Sequence, residues 1–273
     1  MPAGDAVTIT DDASRTVTIP KPPERIVSLA PANTEILAEI GALDRVVGVT
    51  TWDDHPAEVA DIPKVGDFVN PNMEAITAAK PDLVLVTGGV QNDVLDKLEG
   101  TGAQVIVIDP KTLDRLLEDI VIVGKAVDSA PRAIVLERRM RERIASIETA
   151  AAQEGPVTCF VEIGWNPLFT AGSETLMNDM IVTANGVNVV KQEGYVSYSV
   201  EQLLQAQPDV YLGTASSIGT PLDAAGRPGY AGLKASTAFK VFSLDDNLVS
   251  RPGPRIVDGL EQIAKALHPD VFK

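Results

Sequence analysis

Apolar positions along the chain change period several times, and each change predicts an element. Residues 7–20, VTITDDASRTVTIP, hold two short β-branched runs around a polar turn, which predicts a hairpin. From Arg25, RIVSLA reads as a buried strand ended by Pro31. NTEILAEIGA then has helical spacing, with Asn33 placed as N-cap and Gly41 near the C-terminus. VVGV (46–49) is the next strand, EAITAAKPDLVLV (74–86) a helix and a strand, QNDVLDKLEG (91–100) a helix, and QVIVID (104–109) a strand. Strands alternating with helices at this spacing predict a parallel sheet.

Residues 112–153 break that rhythm. They are helical in pattern, interrupted only near Asp128 to Pro131, and the part from Pro131 is charged and stops at Gly155. With no strand partner, this segment reads as a spine between two lobes. After it the earlier order resumes: PVTCFVEIG a strand, SETLMNDMIVTANG a helix, VNVV a strand, then EQLLQAQPDVYLG (201–213). That last stretch aligns without a gap on residues 74–86. Both copies begin with Glu, place an aliphatic residue two positions on, carry Ala and then Pro-Asp, and end in an apolar strand. Pro is expected to stop each helix. GTASSIGTPLDAAGRPGYAG (213–232) reads as a loop, VFSLDD as a last strand and PRIVDGLEQIAKAL as a terminal helix. The expectation is an α/β chain of two Rossmann-like lobes, each with a mostly parallel central sheet, joined by one long helix. The boundaries are residues 1–128, a spine over 129–153, and 154–273.

The chain has 273 residues, enough for two modest cores. A net charge of −15 argues against nucleic acid or an anionic membrane surface as partner. The single Cys159 lies in an apolar strand run, excludes an intrachain disulfide and reads as a buried core residue. No apolar run is long enough to span a membrane, and the first residues carry neither a basic nor an apolar leader segment.

Catalytic equipment is sparse. The two histidines are His55 and His268, and no GxSxG, Walker A, HExxH or strand-linked GxGxxG occurs. An enzyme acting on a nucleotide-like substrate would need a phosphate-cradling Gly loop between a strand and a helix, which makes it the remote alternative. His55, in TWDDHP, could ligate cobalt or iron or hydrogen-bond a ligand, although a lone His is more often a solvated loop residue. Asp53 and Asp54 read as turn and cap chemistry. Of twelve aromatic residues, Trp52, Phe68, Trp165, Phe169, Tyr195 and Tyr198 are expected in loops after strands. In open α/β sheets ligands bind at those strand ends, so the rings suit a large, flat, mostly uncharged guest.

Five stretches carry a resemblance: RIVSLAPANTEILAEIGA with VVGVTTWDDHP, NMEAITAAKPDLVLV, GWNPLFTAGSETLMND, YSVEQLLQAQPDV and SRPGPRIVDGL. In these the chain resembles the substrate-binding proteins of ABC importers with a rigid interdomain helix, which serve cobalamin, haem and iron-siderophores. APANTE and NPLFTAG favour the cobalamin branch. The resemblance implies the class III periplasmic binding protein fold, no catalysis, and capture of cobalamin or another corrinoid in the interlobe cleft. Trp52, Phe68, Phe169 and Tyr195 stand where the family has cleft aromatics and would line the ligand, and Trp165 is expected to join them from its place after a strand. Arg251 matches an Arg that hydrogen-bonds the ligand's amide edge beside an acidic neighbour, here Asp246 or Asn247. Thr87 stands where the family has Trp. Glu74 and Glu201 match carboxylates that dock one lobe each onto a permease dimer. A monomer is expected, periplasmic or lipid-anchored at the cell surface, with no resident cofactor or metal. The alternative ligands are haem, which would ask for an axial group such as His55 or Tyr195, and a ferric siderophore. A siderophore would ask for several cations, and only Arg251 and Arg255 lie in the candidate loops.

Overall fold

A computed structural model describes residues 6–238 and 240–272. The chain forms two compact units. The first takes the chain as far as Pro110, with Asp114–Met140 and Pro252–Pro254; the second takes Lys111–Leu113, Arg141–Arg251 and the chain from Arg255.

In the first unit, β1 (Val7–Thr10) and β2 (Thr16–Ile19) make the hairpin. The order then runs β3 (Ile26–Ser28), α1 (Pro31–Glu39), β4 (Val46–Gly48), α2 (Met73–Ala79), β5 (Leu83–Thr87), α3 (Leu95–Glu99) and β6 (Gln104–Ile108). The sheet is parallel throughout, in the order β4-β3-β5-β6. Its strands are apolar on both faces, as a doubly covered parallel sheet requires. Helix α1 starts two residues earlier than the expected cap. Pro31 occupies its first turn, where a missing N–H costs nothing, and Asn33 is buried inside the helix instead of capping it. The expected helix at 91–100 is shorter, because a 3-10 turn at Asn92–Val94 precedes α3.

Next come α4 (Leu113–Ala126) and α5 (Ala130–Ala151). Asp128 sits in the left-handed region at φ 53, and Ser129 N–H reaches back to Gly124 C=O at 2.7 Å. This six-to-one bond is the helix stop that the sequence placed near Pro131. A Cβ on Gly124 would stand 2.2 Å from that of Ala133, so the glycine allows the two helices to approach. The boundaries at 128 and 154 set all of α5 apart as a spine. In the structure its first half packs into the first unit through buried Ala133, Leu136 and Met140, and its second half belongs to the other unit.

The second unit contains β7 (Val157–Gly164), β8 (Phe169–Ala171), α6 (Leu176–Thr183), β9 (Gly186–Asn188), β10 (Tyr195–Ser197), α7 (Val200–Ala206) and β11 (Val210–Thr214). Then follow α8 (Ala215–Ile218), α9 (Pro221–Ala225), α10 (Lys234–Thr237), β12 (Val241–Leu244), α11 (Asp246–Val249) and α12 (Ile256–Leu267). The stretch expected to be a loop is thus a chain of short helices. Strands β9, β7, β11 and β12 are parallel, in the same spatial sequence as β4-β3-β5-β6. The antiparallel pair β8–β10 is added along β7 in this unit.

The two copies of the repeat coincide position for position. Helices α2 and α7 have side-chain N-caps at Asn72 and Ser199. Each ends in a left-handed residue, Lys80 at φ 48 and Gln207 at φ 44, so the stop is made one residue before each Pro. The Asp that follows has a local task. Asp82 accepts from Glu24 and Arg25 N–H at 2.9 and 3.0 Å, next to the start of β3. Asp209 accepts from the Thr158 hydroxyl at 2.6 Å, at the start of β7. Each Pro-Asp therefore ties its strand to the neighbouring first strand of the same unit.

The hairpin turn is held to α4 by charge. Arg115 donates to Asp12 at 2.6 Å and reaches fully buried Asp119 at 2.9 Å. One guanidinium cannot neutralise two buried carboxylates. Burial first, then the charge of Asp12, push the Asp119 carboxyl up to about 9. The native state thus keeps a proton that the unfolded chain releases above its ordinary value of 3.8, so this contribution to stability is lost as pH rises toward 9. Asp119→Asn is expected to equal the parent in melting temperature near pH 4 and to exceed it by about 5 °C at pH 9, read by calorimetry. Parallel pH curves for the two proteins would contradict this protonation state.

Candidate functional site

In each unit the strand order reverses once. From β3 the chain first adds β4 on one side and then β5 on the other, and from β7 it adds β9 and then β11 likewise. Loops leaving such a pair diverge and open a crevice at the carboxyl ends of the strands, where open α/β sheets hold ligands. At each strand reversal the structure places a buried polar side chain.

In the first unit that side chain is Gln91, 1% exposed. Its Nε2 donates to Leu29 C=O at 2.7 Å and to Phe68 C=O at 2.8 Å, while its Oε1 accepts from Thr87 N–H at 2.8 Å. One amide thus joins the ends of β3 and β5 to the Phe68 loop. That loop is tightened by Asp67, whose carboxylate accepts from Asn70 N–H at 2.6 Å and Val69 N–H at 2.7 Å. These backbone donors, Asn70 first, lower its pKa. Phe68 is half-buried. Trp52, just beyond β4, is 62% exposed, with its N–H bonded to the Thr50 hydroxyl at 3.2 Å. Asp53 accepts from Thr50 N–H at 2.9 Å, which is turn chemistry, and burial raises its pKa. His55 is exposed ahead of the cis Pro56, and among the described residues no group of three or more His, Cys, Asp or Glu is arranged to hold a metal.

In the second unit the buried group is Glu162, inside β7 and fully covered. A carboxylate in an apolar strand needs donors from every side. Glu162 receives the Tyr211 hydroxyl, the Ser217 hydroxyl and Arg227 Nη1, the last at 2.5 Å. Arg227 also donates to Ser217 C=O at 2.9 Å, and its guanidinium carbon lies 4.0 Å from the Trp165 ring centroid. Burial opposes the guanidinium charge, and the bond and charge of Glu162 more than offset it, so the Arg227 pKa is raised. Tyr230 meets Trp165 edge-on at 5.5 Å. The geometry comes from Arg227-Pro228-Gly229-Tyr230, a turn closed by Tyr230 N–H to Arg227 C=O at 3.0 Å, with Gly229 at φ 88. Pro then Gly at the central positions is the type II signature.

The remaining residues singled out by sequence fall as follows. Phe169 and Tyr195 are in strands β8 and β10 instead of loops; Phe169 is half-buried and Tyr195 53% exposed. Tyr198 stacks 5.4 Å from Phe160 and packs on the core of its unit. Asp246 accepts from Ser216 N–H at 3.0 Å and from its hydroxyl, which joins α11 to α8; Arg251 is half-buried just after α11. Glu74 and Glu201 are both exposed at the second position of their helices. There a carboxylate also meets the favourable end of the helix dipole.

Sequence reasoning missed Gln91, Glu162, Arg227 and Tyr230. Glu162 had a signal, a charge within VTCFVEIG, and the turn had another in RPGY. Gln91 had none. Gln91→Leu keeps the bulk but leaves two carbonyls and one N–H without this partner. It is expected to lower unfolding free energy by about 2–3 kcal/mol in urea titration, with Gln91→Glu at least as costly near neutral pH, because a buried acceptor then faces the carbonyls of Leu29 and Phe68. A loss under about 0.5 kcal/mol would remove the tie.

Known proteins place this geometry. The periplasmic binding protein family model matches residues 26–248. An uncharacterized ABC transporter substrate-binding lipoprotein of Bacillus subtilis is 33% identical, over 98% of this chain and 87% of its own. The crystal structure of the periplasmic vitamin B12-binding protein of Vibrio cholerae superposes with a TM-score of 0.81 at 28% identity, over 90% of this chain and 97% of the other. A periplasmic heme-binding protein from Roseiflexus sp. RS-1 gives 0.81 at 27%, over 92% and 99%. The relatives are extracytoplasmic or lipoprotein solute carriers and not enzymes. Matched over most of its length, the chain belongs to the periplasmic binding protein family, as a substrate-binding protein of an ABC transporter.

Proposed function

We propose that the protein captures cobalamin or a related corrinoid outside the cytoplasm and delivers it to its permease without chemistry. The observation that carries this reading is the character of the strand-end rims. Trp52 and Tyr195 are largely exposed rings, and Phe68, Trp165 and Phe169 are partly exposed. The cation nearest Trp165 is neutralised by Glu162. Rings with few net charges fit a broad, neutral macrocycle edged with amides, and Arg251 with Asp246 or Asn247 would meet those amides. The likeness to the Vibrio cholerae protein supports the same ligand class.

Haem is the second reading, supported by the Roseiflexus protein at equal structural similarity. Exposed His55 or Tyr195 would then supply an axial ligand. Calorimetric titration with cyanocobalamin and dicyanocobinamide, beside absorbance spectra with haemin, separates the two. Saturable corrinoid binding is expected, weakened about tenfold by Trp52→Ala. No corrinoid saturation by tens of micromolar, with a haemin Soret shift lost in His55→Ala or Tyr195→Phe, would replace the first reading by the second.

Delivery rests on Glu74 and Glu201 as the exposed carboxylates of equivalent helices, one for each half of a two-fold permease. Exposed ion pairs contribute only about 0–1 kcal/mol each, so they set orientation and association rate. Glu74→Ala with Glu201→Ala is expected to leave ligand affinity unchanged and to reduce uptake by a reconstituted importer about fivefold or more. Equal uptake would refute the docking role.

A further inference from the structure

The buried charges under Trp165 are poorly explained by stability. An ion pair taken out of water seldom gains more than it loses in solvation, and an apolar pair of the same size would often serve as well. Yet the Arg227 and Glu162 side chains are 11% and 0% exposed, and both hydroxyls on the pair come from neighbouring elements at the strand reversal. Two members of this cluster meet one indole. The guanidinium covers a ring face at 4.0 Å, Tyr230 stands perpendicular to the indole with centroids 5.5 Å apart, and the Pro-Gly turn fixes the spacing between Arg227 and Tyr230. Functional rings are held accurately when such a second layer locks their rotamer. A cation on an indole face also stabilises that arrangement by about 0.5–2 kcal/mol.

We propose that Arg227, anchored by Glu162, is a positioning residue that holds Trp165 with one face covered and the opposite face presented to a flat ligand ring. Because Glu162 takes up the charge, the platform suits uncharged ring systems over those bearing carboxylates. The proposal rests on the reading of Trp165 as a ligand-facing residue, and the experiment keeps the two separable.

The parent for the test is Trp52→Phe, which leaves Trp165 as the lone indole of a chain with two Trp. Into it go Arg227→Met, Arg227→Lys and Glu162→Gln. Two quantities are read: the near-ultraviolet ellipticity and emission of Trp165 in the free protein, and affinity for dicyanocobinamide. Arg227→Met is expected to lose most of the indole ellipticity, shift emission to the red and weaken binding about tenfold. Arg227→Lys should recover part of both, and Glu162→Gln should fall between. An unchanged indole signature in Arg227→Met overturns the proposal. So does a lost signature with affinity kept within about twofold. If Arg227→Met fails to fold, unchanged signatures in Arg227→Lys and Glu162→Gln overturn it, and graded loss supports it. No cobinamide binding by the native chain, titrated beside the Trp52→Phe parent, would overturn the corrinoid reading alone; the free-protein signature then decides the positioning role.

Discussion

A sheet that reverses its strand order leaves a gap at the strand ends, and backbone groups facing a gap must still find partners. This constraint acts in the first unit, and a buried charge makes a parallel demand for partners in the second. In the first, the Gln91 amide satisfies two carbonyls and an N–H from three separate segments. In the second, the carboxylate of Glu162 collects donors from β11, from α8 and from the turn after α9. Both strand reversals are therefore backed by a buried, hydrogen-bonded polar side chain.

The two units share a plan down to their caps and strand sequence, and the departures from that plan are informative. Gln91 ties backbone groups of three segments together, whereas Glu162 gathers side-chain donors. The antiparallel pair β8–β10 exists in the second unit, where it carries Phe169 and Tyr195. The shared parts are those that build a sheet, and the divergent parts cluster at its strand ends and added edge.

Much of the fold was legible because long apolar runs and helical spacing survive tertiary context. RIVSLA, QVIVID and the terminal helix stand where their patterns placed them. What escaped was short or non-local. Three-residue strands such as β8 and β10 have too few positions to show a period, and the helices of 215–237 are single turns set by caps such as Thr220 with Asp223. Asn33 was read as a cap because Asn is a common one, but Pro31 had already supplied the helix start. At the site the rings were visible, since aromatic residues are rare in this chain. Their supports were not: a glutamine that reaches 62 residues back along the chain, to Leu29, leaves no local mark.

The four-residue turn at Arg227 has a wider implication. It is closed by its own hydrogen bond and bent by its own Pro and Gly, so it reaches the sheet as a finished piece and needs from it only an acceptor. Relatives could exchange that piece whole, trading the cation and ring for other groups, with matching changes at the few strand residues it touches, Glu162 and Tyr211. Diversity of cargo on a constant scaffold would then arise by replacing small prefabricated loops more than by remodelling the apolar core beneath them.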